Sequence, residues 1–188
     1  MRDKIQELLT MDLGVLNLDS EDTYVKKGAV LFSWPKRNRY RVLSNYYPCQ
    51  FTVGGLTFHS VEQYYHFKRL SVQRYIDKLM SYAGDDNAKW CYRYVRNPAV
   101  KRIVEMDKQK RWQYIWEGLV YKTMVCSEFV DRLLESGDKT IVEHITWNAR
   151  GDIFGAKEVS ETERDTLVGY NALGKMLMFL RQWLRDNR

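Results

Sequence analysis

The chain has 188 residues, of which 45% are hydrophobic and 29% charged. This composition excludes an intrinsically disordered chain and fits one soluble domain, because enough apolar side chains are present to form a core. The net charge of +6 favours anionic partners, either a polynucleotide or a phosphorylated small molecule. No apolar run approaches the roughly 20 residues that a membrane helix needs, so we expect no membrane partner.

The cysteine and histidine residues bear on compartment and metal binding. Cys49, Cys91 and Cys126 are odd in number and far apart, which is typical of free thiols in a reducing environment. The three histidines form no zinc-binding motif of the HExxH type. We therefore expect a cytoplasmic protein that needs neither a metal nor another cofactor.

The first part of the chain predicts a helix, a connection and a strand. A charged amphipathic pattern over 3–10 predicts a short helix, and a polar connection runs over 11–27. We treat 1–27 as an N-terminal helix and connection, and 28–188 as the main domain. Apolar residues over 29–33 predict a strand, and a basic stretch follows over 36–39. That stretch can bind an anion or form an ordinary solvated surface.

A hairpin and a capped helix come next. Residues 50–58 predict a hairpin around Gly54-Gly55, because this dipeptide readily adopts the positive φ of a tight turn. Ser60 predicts an N-cap, and Gln63 completes a capping-box pattern for a helix that runs to about Leu70.

Glu62 lies in the first turn of this predicted helix. The helix dipole favours an ionised carboxylate there. Such a group can deprotonate water or stabilise positive charge that develops on a sugar. Tyr65, His66 and Arg69 share its helix face at i+3, i+4 and i+7. The alternative is that Glu62 is an ordinary helix-start residue that only offsets the dipole.

The remaining sequence is mostly helical. Helical patterns cover 72–82, 86–96 and 99–136, the last broken near Asp107. Gly137 predicts a C-cap before a short strand over 139–145. The closing helix starts near Asn171, its predicted N-cap, and its buried stripe consists of Leu173, Leu177, Leu180 and Leu184. Together these patterns predict a helix-rich α+β single domain with a small β-sheet.

A loop over 146–157 combines aromatic, glycine and acidic residues. Trp147 and Phe154 can stack on a ligand ring, and the glycines let the backbone approach a ligand closely. The alternative is that both aromatic side chains cap the core and that Asp152 only makes a turn.

Four segments, taken in order, resemble motifs of the NADAR superfamily, the YbiA-like proteins. The segments are Leu43–Pro48, Ser60–Tyr65, Thr140–His144 and Gly169–Arg181, and the resemblance covers about 29–184. Each motif alone is weakly specific, whereas four in the family's order are strongly specific.

This resemblance implies a YbiA-like fold and chemistry on ribosylated bases. The family is linked to NAD and ADP-ribose metabolism. Its YbiA-type members are N-glycosidases that split the ribose–amine bond of phosphorylated ribosylaminopyrimidine intermediates of riboflavin synthesis, and other members remove ADP-ribose from guanine. For this chain it implies hydrolysis of a ribosyl C1′–N bond without a metal. The implied partner is a small ribosyl phosphate or an ADP-ribose-type ligand, with ADP-ribosylated nucleic acid as a further candidate.

The resemblance also assigns site residues. Glu62 falls on the family's catalytic glutamate, Asn45 on the Asn of its Ser-Asn-Phe-like turn, and Asp152 on the aspartate of its Asp-x-x-Trp-Gly loop. The candidate catalytic residues are Glu62 and Asp152. The candidate substrate-binding residues are Phe32, Ser33, Lys36, Arg37, Asn45, Tyr46, Tyr65, Trp112, Trp147, Phe154, Gly155 and Asn171.

The chain departs from the family's pattern at several positions. Phe154 stands where the family has Trp, and one residue fewer separates Asp152 from Gly155. Trp112 is our substitute for the family's Trp before the long helix. These departures leave open the alternative of a non-catalytic module that binds NAD or ADP-ribose. The net charge and the Tyr and Trp content leave open a second alternative, a nucleic-acid-binding protein, although the chain lacks a known nucleic-acid-binding motif.

Overall fold

The structure is a computed structural model that describes residues 2–33, 38–100, 107–145, 153–159 and 163–187. The chain divides into two compact units. The first unit consists of Met1–Met11 and Asn45–Ser127, and the second of Asp12–Ser44 and Glu128–Arg188. None of the helices within the described ranges is long and apolar enough to cross a membrane.

The helices and strands follow one another in an α+β order. The first unit contains α1 (Arg2–Leu9), β3 (Phe51–Val53), β4 (Leu56–Phe58), α2 (Val61–Phe67), α3 (Gln73–Met80), α4 (Asn87–Val95) and α5 (Lys108–Val125). The second contains β1 (Asp22–Val25), β2 (Val30–Phe32), α6 (Ser127–Glu135, whose first residue belongs to the first unit), β5 (Ile141–Glu143), β6 (Thr166–Gly169) and α7 (Ala172–Asn187). The predicted helix-rich α+β fold is confirmed.

Among the described residues the strands form three two-stranded sheets, one in the first unit and two in the second, rather than one small sheet. Strand β3 pairs with β4 as the predicted hairpin, antiparallel, with Phe51 opposite Phe58. Strand β2 runs parallel to β5, and β1 runs antiparallel to β6. The structure corrects two details of the sequence prediction: β1 lies in the stretch predicted as a polar connection, and the helical pattern over 99–136 is divided at Cys126, whose backbone is extended.

Helix α5 is the centre of the first unit's packing. It contacts α2, and the buried Trp116 Nε1 donates a hydrogen bond to the Leu8 carbonyl of α1 over 2.6 Å. Gly118 allows α2 to approach α5 closely, because a Cβ atom at this position would lie 2.7 Å from Cγ1 of the fully buried Val61. This approach positions the first turn of α2, which carries Glu62.

We expect Gly118→Ala to lower the free energy of unfolding by about 1 kcal/mol. Overpacking against Val61 costs about 1–3 kcal/mol, whereas Ala in place of Gly favours the helix by roughly 1 kcal/mol. Denaturant unfolding measures the balance. In a Val61→Ala background the same substitution should be neutral or stabilising. A loss that persists in that background would contradict the packing argument.

The second unit is built around β5 and α7. The stripe predicted for α7 is confirmed, since all four of its leucines, Leu173, Leu177, Leu180 and Leu184, are buried. Gly174 brings the start of α7 against β5, because a Cβ atom there would lie 2.2 Å from the Ile141 carbonyl oxygen. The helix can therefore pack directly on the strand backbone.

Asn171 joins α7 to β5 in a way that the sequence did not predict. Its φ of +47° lies in the left-handed region, whereas an N-cap residue has extended backbone. Its Oδ1 accepts a hydrogen bond from the Glu143 N–H over 3.1 Å, and its Nδ2 donates to the Ile141 carbonyl over 2.9 Å. The predicted N-cap is therefore wrong, because the side chain holds the strand instead of capping the helix.

An ionic cluster lies beside the end of β5. Glu158 accepts contacts from Lys26 Nζ at 2.7 Å and His144 Nε2 at 2.9 Å. Burial raises the pKa of Glu158, but the hydrogen bonds from Lys26 and His144 together lower it by a larger amount. The pKa of Glu158 therefore falls from 4.5 to about 2.

This lowered pKa predicts an acid-dependent contribution to stability. The contribution is present above pH 4.5, the ordinary pKa of the carboxyl group, and is lost as the pH falls from 4.5 through about 2. We expect Glu158→Gln to lower the free energy of unfolding at pH 7 by about 1 kcal/mol, allowing for solvent screening, and to have a much smaller effect near pH 2. Unfolding at several pH values measures this, with Glu21→Gln at an exposed position of the same unit as control. An equal effect at both pH values would contradict the assignment.

Candidate active site

The start of α2 is fixed by a network of polar contacts. Ser60 is the N-cap, as predicted, and its Oγ accepts a hydrogen bond from the Gln63 N–H over 3.0 Å. The Ser60 hydroxyl also donates to Asn87 Oδ1 over 2.8 Å. The Gln63 side chain accepts from the His59 N–H rather than from Ser60. These bonds set the direction of the first helical turn and of Glu62 within it.

Glu62 and Asn45 lie together at this helix start. The Glu62 N–H donates to the Asn45 carbonyl over 3.1 Å, and the two residues are only 7% and 6% exposed. The Asn45 side-chain oxygen is buried, and no described residue hydrogen-bonds to it. A buried acceptor without a partner costs about 1–3 kcal/mol, so it suits a site where a ligand or water supplies the donor.

His66 lies one helical turn after Glu62 and contacts it. His66 Nε2 is 2.8 Å from Glu62 Oε1, although the contact is not aligned as a hydrogen bond. His66 is 3% exposed, and no described residue hydrogen-bonds to its Nδ1. The pair therefore places a carboxylate and an imidazole in contact in a buried setting, which is a common arrangement for moving protons.

The charge of Glu62 also acts on the buried thiol of Cys91. Burial, and next the negative charge of Glu62, raise the pKa of the Cys91 thiol to about 12. The thiol therefore stays protonated at neutral pH and is not a nucleophile. Glu62 and His66 remain the groups that can take part in acid–base chemistry here.

Two further predicted site residues, Tyr65 on α2 and Trp112 on α5, belong to the first unit. Tyr65 is 3% exposed, and its hydroxyl accepts a hydrogen bond from Arg111 Nε over 2.9 Å. Trp112, the next residue of α5, is 4% exposed, and its indole Nε1 has no hydrogen-bond partner among the described residues. A buried indole N–H of this kind can donate a hydrogen bond to a ligand.

A cavity of about 340 Å³ adjoins the Glu62–His66 pair. Its lining residues are His66, Arg69, Tyr92, Val95 and Arg96. Arg96 bonds to the Tyr92 hydroxyl, and its guanidinium carbon lies 5.1 Å from the centre of the Tyr92 ring. The predicted residue Tyr46 lies against the same tyrosine, with the two ring centres 6.2 Å apart.

Other predicted site residues belong to the second unit. Phe32 and Ser33 are buried at the end of β2. Phe154 and Gly155 bond through their carbonyl groups to the N–H groups of Leu173 and Asn171, at the start of α7. The Asn171 amide bonds to two backbone groups of β5, and its role in substrate binding stays a prediction.

The remaining predicted residues, Lys36, Arg37, Trp147 and Asp152, lie outside the described residues. No group of three or more His, Cys, Asp and Glu side chains that could hold a metal ion occurs in the part of the chain that the structure describes. The need for a metal or cofactor stays a matter of prediction.

The sequence analysis missed two residues of this site, Tyr92 and Arg96. A signal for them exists, because they are spaced i, i+4 on one helical pattern, as are Glu62 and His66. The sequence does not show that α4 places this pair beside α2, since that depends on how the helices pack.

Comparison with known proteins bears directly on the family. The family model described as the NADAR domain matches residues 31–185. The solved structures similar to this chain include the NMR structure of the E. coli protein YbiA, with a TM-score of 0.64 and 20% sequence identity over 84% of this chain and 86% of YbiA. At this identity the similarity shows the fold alone. No curated protein sequence matches the chain. Because the family model covers most of its length, the chain belongs to the NADAR domain family.

Proposed function

We propose that this protein is a metal-independent N-glycoside hydrolase that cleaves the ribosyl C1′–N bond of a phosphorylated, ribosylated base. The NADAR family is associated with N-glycosidase-type activity, which supports the reaction class. The proposed substrates are a ribosylaminopyrimidine phosphate, like the intermediates of riboflavin synthesis, or ADP-ribose attached to guanine. We propose a cytoplasmic location for the reaction.

The observation that carries this proposal is that Glu62 is buried at the helix start, where its N–H bonds to the Asn45 carbonyl, and that the Asn45 side-chain oxygen is buried without a partner among the described residues. Glu62 accepts the proton of a water molecule as the water oxygen bonds to C1′, and the electron pair of the C1′–N bond leaves with the base, which takes up a proton. The transition state resembles an oxocarbenium ion, so the same carboxylate stabilises its positive charge. We assign to Asn45 Oδ1 the role of accepting a hydrogen bond from the attacking water or from a ribose hydroxyl, which its lack of a partner among the described residues supports.

Other residues have supporting roles in this proposal. The Trp112 indole N–H and the Tyr46 and Tyr65 rings offer contacts to the base or the sugar. The His66 imidazole can receive the proton from Glu62 or pass one to the leaving base, because its Nε2 lies 2.8 Å from the carboxylate. From the family resemblance and the sequence we further propose a catalytic role for Asp152 and substrate-binding roles for Trp147, Phe154 and Gly155.

The direct test is incubation of the purified protein with four compounds: a ribosylaminopyrimidine phosphate, NAD, ADP-ribose and ADP-ribosylated guanine. Mass spectrometry then detects released base and sugar. We expect release of the base from one of the ribosylated bases. Thermal stabilisation by ADP-ribose or NAD without release of any base would contradict hydrolysis. It would favour the alternative, a non-catalytic binding module, which the altered Asp152–Phe154 loop suggests.

A further inference from the structure

Two of the three cysteines lie beside each other in the first unit, although they are far apart in the chain. The thiols of Cys49 and Cys126 are hydrogen-bonded to each other, and Cys126 is the C-cap residue of α5. Both are free thiols in the structure. Two sulfur atoms in hydrogen-bond contact need only a short further approach to reach the roughly 2.05 Å of a disulfide. The contact therefore brings together two groups that can form a covalent bond.

The segment that holds Cys49 packs against the end of α5. Two residues after Cys49, the buried Phe51 ring stacks on the Tyr121 ring, with the ring centres 5.8 Å apart. Two residues before Cys49, the Tyr47 ring centre lies 5.5 Å from Lys122 Nζ. Contacts on both sides of Cys49 thus hold it against the helix end where the second thiol lies.

The two thiols differ in exposure and in acidity. Cys49 is 8% exposed, whereas Cys126 is partly exposed. The hydrogen bond with Cys126, and next burial, raise the pKa of the Cys49 thiol, and the positive charge of the buried Lys122 lowers it by a smaller amount. Because Cys49 holds its proton, the thiolate that reacts with a reagent in solution forms at Cys126.

We propose that Cys49 and Cys126 form a redox-modification site, in which a hydroperoxide oxidises Cys126 and Cys49 then closes a disulfide. The proposal does not depend on the proposed function. In a reducing compartment such a disulfide is transient, because small thiols reduce it again. The site adjoins the candidate active site along the chain, since the Asn45 carbonyl that accepts the Glu62 N–H comes shortly before Cys49.

The oxidation takes place in two balanced steps. The Cys126 sulfur bonds to one peroxide oxygen, the O–O bond breaks, and the other oxygen leaves as an anion that takes up a proton. Cys126 is then a sulfenic acid. The Cys49 sulfur displaces the sulfenic hydroxyl group as the S–S bond forms, and the Cys49 proton leaves with that group as water. The two sulfur atoms together lose two electrons, which the peroxide takes up.

Disulfide mapping tests the site without any need for catalysis. The reduced wild type is treated with hydrogen peroxide under native conditions, alkylated, digested and analysed by mass spectrometry. We expect the protein to lose the mass of two hydrogen atoms and to give a peptide pair linked through Cys49 and Cys126. Cys91 is the internal control and should stay a free thiol, because it is fully buried and its pKa is raised to about 12. Dithiothreitol should reverse the change.

Two single variants separate the attacking thiol from the one that closes the disulfide. We expect Cys49→Ala to stop at a sulfenic acid on Cys126, which dimedone traps, and Cys126→Ala to give neither product. In the native wild type, Cys126 should be alkylated about 10-fold or more faster than Cys49. Thermal unfolding of the reduced variants shows whether each is folded, and the mapping of the wild type decides the proposal without them.

Three results would overturn the proposal. The first is an oxidised wild type without a peptide pair that links Cys49 to Cys126. The second is a covalent dimer, in which the linked peptides come from two protein molecules. The third is formation of the same link at the same rate in protein unfolded by urea, because the folded contact would then contribute nothing to the reaction.

Discussion

Replacing Glu62 by glutamine should lower the rate of ribosyl–nitrogen cleavage by about 10²- to 10⁴-fold, with the fold preserved. Glutamine has nearly the same shape and keeps the backbone bond to Asn45, but its amide cannot accept a proton from water and carries no negative charge to stabilise an oxocarbenium ion. Single-turnover cleavage of the best substrate gives the rate. Thermal unfolding and circular dichroism show whether the variant is folded.

The matched control is Glu117→Gln in the same unit. Glu117 is a partly buried carboxylate of α5 that accepts a hydrogen bond from the Tyr64 hydroxyl over 2.5 Å and contacts Lys68. It does not line the cavity. This variant should lose some stability and keep its cleavage rate. If Glu62→Gln instead cleaves at the wild-type rate, Glu62 is an ordinary helix-start residue, and the catalytic group must be sought elsewhere.

Sequence reasoning predicted the features that depend on a few neighbouring residues. Gly54-Gly55 specifies a hairpin turn, Ser60 an N-cap, and the leucines of α7 a buried face, and each of these is present. The physical reason is that turn geometry, capping and helical periodicity are decided within about one or two turns of chain. Local signals of this kind were enough to place Glu62 in the first turn of a helix.

Features that depend on distant partners were not predicted. Strand β1 is recognisable only through β6, from which it is separated by about 140 residues, since its own four residues are too few to show a pattern. Arg96 and Tyr92 belong to the site because α4 packs on α2, and the sequence does not encode that contact locally. Asn171 was misread for a related reason, because a typical N-cap residue before a helix can also bond to a strand that lies far away in the chain.

We expect Asn171→Ala to be the most destabilising of the substitutions considered. It removes the acceptor for the Glu143 N–H and the donor to the Ile141 carbonyl, and leaving these groups without partners costs about 1–3 kcal/mol each. It also places Ala at a φ of +47°, which costs a further 1–2 kcal/mol, roughly. The free energy of unfolding should therefore fall by about 3–8 kcal/mol, the sum of these costs, as measured by denaturant titration.

Asn17 separates the two causes of this loss. It has almost the same backbone conformation, with a φ of +49°, but it is exposed, so Asn17→Ala should carry only the backbone cost. The difference between the two alanine variants then gives the contribution of the buried amide of Asn171. If the two variants lose equal stability, the amide does not hold β5 to α7. A loss of substrate affinity in Asn171→Ala without a loss of stability would instead return Asn171 to the substrate-binding role that the sequence predicted.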